Sequence, residues 1–128
     1  MTIKIMVIDD SSTIRKTAET LLKRAGFEVI TAADGFEAMS VVADQHPDII
    51  FIDIMMPRLD GYQTCALIKN NKQFGSIPIE MLSSKDGLFD RARGKLAGSE
   101  QHIHKPFTQD DLVSAINKYV ATDEVANA

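Results

Sequence analysis

Asp9, Asp10, Asp53, Ser83 and Lys105 are the polar residues of this 128-residue sequence that could share one chemical task. Three carboxylates gathered in one crevice repel each other, so a compensating cation must join them. Carboxylate oxygens suit hard Mg²⁺ rather than a thiolate-loving metal. A metal there would neutralise acidic charge and orient a phosphoryl oxygen, while one carboxylate oxygen attacks phosphorus to give an acyl phosphate. A carboxylate is already ionised at neutral pH, so this chemistry needs no other base. Lys105 offers a mobile point charge and Ser83 a hydroxyl donor for further oxygens of the same group. Taken singly these residues are ordinary: Asp9-Asp10 reads as an acidic pair on a solvated loop, and Lys105-Pro106 says little.

The elements that would position them make the difference. Short apolar runs alternate with stretches of helical period. Ile3 to Ile8 reads as a strand stopped by Asp9-Asp10, and Ser11 or Ser12 can cap a helix carrying Ile14, Ala18, Leu21, Leu22 and Ala25. Gly26 is placed to end that helix. Phe27 to Ala32 reads as a second strand, with Asp34-Gly35 as a turn before a helix over Phe36 to Asp44 and Pro47 beyond its end. Asp48 to Ile54 is a nearly continuous apolar run, the mark of a parallel strand covered on both faces. Further strands are expected at Ile77 to Leu82 and Gln101 to His104, with helices over Tyr62 to Lys69, Leu88 to Leu96 and Gln109 to Tyr119. Five strand-helix units with right-handed crossovers predict a doubly wound α/β sandwich around one parallel sheet. Sites in such sheets lie at the C-terminal ends of strands. Strands 1, 3, 4 and 5 each end at or just before one of the five polar positions.

Composition bounds the alternatives. A chain of this length is about one domain. Apolar residues make up 45% and charged residues 25%, and the net charge of -4 argues against a nucleic-acid face. The one cysteine, Cys65, rules out an internal disulfide, fits a reducing cytosol, and reads as a packing residue. The start of the chain lacks the features of a signal peptide, and no apolar run approaches the roughly 20 residues of a membrane span. His46 and His104 have no metal-ligand spacing with Cys65, which argues against zinc. One folded unit is expected over residues 1–121, with a disordered tail over 122–128.

Four motifs in order resemble the response-regulator receiver family of two-component signalling: Ile8-Asp9-Asp10-Ser11, Asp53 through Gly61, Leu82-Ser83-Ser84 and Lys105-Pro106-Phe107. The resemblance runs from about Lys4 to Tyr119. It implies a flavodoxin-like sheet of order 2-1-3-4-5, with Asp53 as phosphoacceptor. Asp9, Asp10, Asp53 and the backbone carbonyl of Met55 would hold Mg²⁺. Ser83 corresponds to the family's switch hydroxyl, Lys105 to its phosphate-contacting lysine, and the Lys105-Pro106 bond to a cis peptide. The stretch from Asp53 to Gly87 is similar to the stand-alone regulators of type IV pilus twitching motility. That implies a cytoplasmic regulator rather than an enzyme, fed by a chemosensory histidine kinase and acting as a monomer or weak dimer. A downstream protein, such as a pilus-assembly component, would read it without nucleic acid or membrane insertion. A phosphate sink for a shared kinase, or a chemotaxis regulator, is the alternative.

Two positions depart from the family. His102 stands where a tyrosine or phenylalanine is usual, so output would rely less on an aromatic switch or would respond to the charge on His102. Glu80 interrupts an apolar strand, where burial costs several kcal/mol unless it is paired. Its replacement by valine or isoleucine is expected to stabilise the fold. Lys85 and Met55 would flank the path of an attacking water. Phe107, Val113, Ala115 and Ile116 would form an apolar patch toward partners.

Overall fold

Five short β-branched runs form the strands of the computed structural model: β1 (Lys4–Ile8), β2 (Glu28–Ala32), β3 (Ile49–Asp53), β4 (Ile79–Ser83) and β5 (Gln101–His104). The structure describes residues 2–84, 91–99 and 101–127; for Arg91, Gln101 and residues 120–127 it describes the backbone alone. All strand pairs are parallel, in the order β2-β1-β3-β4-β5. Between them run α1 (Ser12–Arg24), α2 (Gly35–Gln45), α3 (Gly61–Lys69) and α4 (Arg91–Ala97), with α5 (Gln109–Asn127) last.

Alternation along β3 explains its unbroken apolar run. Ile50 and Ile52 pack with Ala38 and Val42 of α2 and Cys65 and Ile68 of α3. Ile49 and Phe51 face the other way, toward Ala18 and Leu22 of α1 and Leu112, Ala115 and Ile116 of α5. Every residue of β3 is buried, and each aliphatic side chain hidden this way contributes about 1.5–3 kcal/mol.

Caps set the helix ends, and so the loops between strands and helices. The Ser11 hydroxyl accepts from the Ile14 amide, and the Asp34 side chain accepts from Glu37. Asp60 and Gln63 form a reciprocal capping box on α3. Ala25 caps the C-terminus of α1, and Gly26, the expected stop, follows it at φ 96°. There the Phe27 amide reaches back to the Leu22 carbonyl and Gly26 to Lys23, the bonding of a Schellman turn.

Two expectations meet the structure differently, and the pairing that a buried Glu80 requires is present. Helix α5 continues to Asn127 rather than ending at Tyr119; residues 120–127 hold neither glycine nor proline to stop it. Phe107, Ala115 and Ile116 are buried in the core against α1 and β1, so they do not form an exposed patch. Glu80 is buried and accepts a 2.8 Å hydrogen bond from the Tyr119 hydroxyl of α5. The expected start of α4 at Leu88 and the position of Lys85 lie outside the described residues.

Candidate functional site

The site grows from the ends of the three central strands. The sheet delivers Asp53 as the last residue of β3. Asp9, one residue past β1, is fully buried, and its Oδ1 accepts from the Ser11 amide at 2.9 Å, which fixes the turn into α1. Arg15 reinforces that turn by donating to the Asp9 carbonyl at 2.6 Å. Asp10 is exposed beside them. Carboxylate oxygens of Asp9, Asp10 and Asp53 all lie within 4.8 Å of one another.

Lys105 enters from the end of β5. Its backbone amide donates to the Ser83 carbonyl at 2.6 Å, and the Lys105-Pro106 peptide is cis. Its Nζ donates to Asp9 Oδ2 at 2.7 Å and to Asp53 Oδ1 at 2.8 Å. These ion pairs are shielded, with the lysine side chain 15% exposed and the carboxylates 0% and 6%. One ammonium does not balance three carboxylates. Burial, and then the charges of Asp9 and Asp10, push the Asp53 carboxyl up to about 6 against the pull of Lys105. Burial disfavours the charge on Lys105, but its bonds to Asp53 and Asp9 outweigh that and raise it overall. The surplus negative charge and the all-oxygen donor set fit a hard divalent cation.

The floor of the site depends on close backbone approach. The Gly61 amide donates to the Ile54 carbonyl at 2.9 Å. A Cβ at Gly61 would collide with the Asp53 carbonyl oxygen and the Ile54 Cα. Beside Asp10 an open cleft of about 520 Å³ is lined by Met55, Met56, Pro57, Tyr62 and Arg93. Met55 is exposed at this rim while Met56 turns inward. The Arg93 guanidinium lies 4.3 Å from the centre of the Tyr62 ring and 3.6 Å from Asp60.

Lys105 therefore meets Asp9 and Asp53 directly, with Asp10 beside them and Ser83 at the neighbouring strand end. The Ser83 hydroxyl is engaged with His104 Nδ1 at 3.2 Å, a contact that the sequence reading missed. It follows from the register that pairs Ser83 with His104, which alternation along a single strand does not report. His102 meets His104 in turn. Cys65 is buried, its thiol pushed up to about 11 by burial, and it donates to the Ala97 carbonyl. This is the setting of a packing residue.

Comparison with known proteins gives a consistent picture. The family model for the response regulator receiver domain matches residues 5–117. The sequence is 65% identical to Protein PilG of Pseudomonas aeruginosa, over 92% of this chain and 87% of that protein. It is 38% identical to the probable transcriptional regulator ycf27 of Cyanophora paradoxa over 94% of this chain, but it spans only 49% of that longer relative. Among solved structures, the chemotaxis protein CheY4 of Vibrio cholerae superposes with a TM-score of 0.86 at 30% identity, covering 92% of this chain and 98% of that one.

Proposed function

The chain belongs to the response regulator receiver domain family, and from that premise we propose that it is switched by a phosphoryl group carried on Asp53. The observation that carries this reading is the Lys105 ammonium, bonded at once to Asp9 and Asp53 inside a three-carboxylate cluster. An Asp53 carboxylate oxygen attacks the phosphorus of a phosphohistidine on a sensor kinase. The new P–O bond forms as the P–N bond breaks, and the imidazole nitrogen keeps the electron pair. Lys105, already beside Asp53, transfers its bond to an oxygen of the arriving group. The Ser83 hydroxyl donates its proton to a second oxygen.

Asp9, Asp10 and Asp53, with the Met55 carbonyl, would hold Mg²⁺, which neutralises the acidic cluster and orients a phosphoryl oxygen. Phosphorylation then biases a two-state equilibrium that a separate protein reads. The similarity to Protein PilG and to pilus regulators over Asp53 to Gly87 supports a cytoplasmic role in type IV pilus twitching. In that role a chemosensory kinase lies upstream and a pilus-assembly component downstream. On this reading the chain turns over no external substrate beyond its own phosphoryl group.

The test uses a small-molecule phosphodonor with Mg²⁺ and intact-mass detection. Wild-type protein should gain one phosphoryl group, and Asp53→Asn should gain none. Uptake by that variant at the wild-type level would sink the assignment. Beryllium fluoride-treated protein, used as bait against cell extract beside Asp53→Ala, separates a relay from a phosphate sink.

A further inference from the structure

His102 and His104 stand two residues apart on β5, at the edge of the sheet, so their side chains share a face. Their Nε2 atoms are 3.2 Å apart. The rings meet edge to face, with 85° between planes and centroids 4.7 Å apart. Two nitrogens each about 2.1 Å from one tetrahedral ion stand roughly 3.4 Å apart, close to the separation seen. The contact is a hydrogen bond between the two ring nitrogens, so an ion that takes both replaces the proton held between them.

The far side of His104 is already arranged for a ligand's role. Its Nδ1 lies 3.2 Å from Ser83 Oγ. An imidazole that donates its Nδ1–H to an oxygen keeps Nε2 unprotonated and aimed at a metal. His104 is exposed and His102 half-buried, so an ion can arrive from solvent. We propose that His102 and His104 form a second cation site, separate from the acidic cluster. It takes a late first-row divalent ion of the Zn²⁺ class through two imidazole nitrogens, with water filling the remaining positions. Ligand type separates the sites: imidazole selects Zn²⁺, Cu²⁺ or Ni²⁺, and clustered carboxylates select Mg²⁺.

Occupancy has a consequence that rests on the role given to Ser83 above. With His104 Nδ1–H donating to Ser83 Oγ, the serine proton is free to turn toward a phosphoryl oxygen on Asp53. A bound ion should therefore slow phosphoryl loss.

Calorimetric titration of the full chain with Zn²⁺, in excess Mg²⁺, tests the site on unphosphorylated protein. Wild type should bind a single equivalent. His102→Ala and His104→Ala should each bind at least about tenfold more weakly, and His46→Ala should bind as wild type does. Nitrogen-15 imidazole spectra of wild type give a readout that does not depend on the variants folding: both Nε2 signals should move with Zn²⁺. Equal affinity in all four proteins, displacement by Mg²⁺, or movement of His46 signals alone would overturn the site. A rate of phosphoryl loss unaffected by Zn²⁺ would overturn the link to Ser83. Because binding is measured without phosphorylation, its failure leaves the Asp53 reading standing, and a failure at Asp53 leaves the zinc result readable.

Discussion

Asp53 is both the reactive group and a source of instability, because the sheet buries it beside two like charges. In the folded chain its carboxyl holds a proton up to about pH 6, whereas an unfolded aspartate releases it near 3.8. The native state therefore binds more protons than the unfolded state between these values. Stability falls as pH rises through that window, by about 3 kcal/mol in all. Asparagine at this position cannot ionise. Metal-free Asp53→Asn should match wild type near pH 4 and exceed it by about 1–3 kcal/mol at pH 8, as read from urea melts at the two pH values. An equal difference at both would mean that the carboxylate charge is not the cause. Adding Mg²⁺ at pH 8 should narrow the gap, since a cation binding the native cluster stabilises wild type by mass action.

Elements, more than residues, decide whether that cluster forms. Helix α3 begins against the end of β3 because Gly61 has no side chain, and the atoms in the way are backbone that cannot rotate aside. Gly61→Ala should lower stability by about 2–4 kcal/mol and cut phosphoryl uptake more than its remaining folded fraction explains; thermal melts and intact-mass kinetics together check this. Between β4 and α5 the Glu80–Tyr119 bond holds the buried carboxylate. Tyr119→Phe should cost about 1–2 kcal/mol in a denaturant melt, and the gain once expected from Glu80→Val shrinks because the tyrosine hydroxyl loses its acceptor. These contacts mark where sequence legibility stops. Short runs set between stretches of helical period located the five strands, and their polar terminators pointed to Asp9, Asp53, Ser83 and Lys105. Periodicity does not report register between strands, so Ser83 beside His104 could not be read. Nor does it show which helix supplies a partner to a buried acid, so the partner of Glu80 could not be named. The extension of α5 was missed because apolar spacing fades after Val120 while the backbone continues.

For the whole molecule, the sheet acts as a partition. Alternate residues of one strand serve separate interiors, one closed by α2 and α3 and the other by α1 and α5. Perturbations placed in different interiors should not feel each other. Val42→Ala and Leu112→Ala should each cost about 1–4 kcal/mol, and the double variant should lose their sum to within about 0.5 kcal/mol when chemical denaturation is compared across the cycle. A larger coupling would show that strain crosses the strands. If the costs do add, each side of the sheet can change its sequence over evolutionary time without obliging the other to follow. One face could then track a drifting partner while the opposite face stays still.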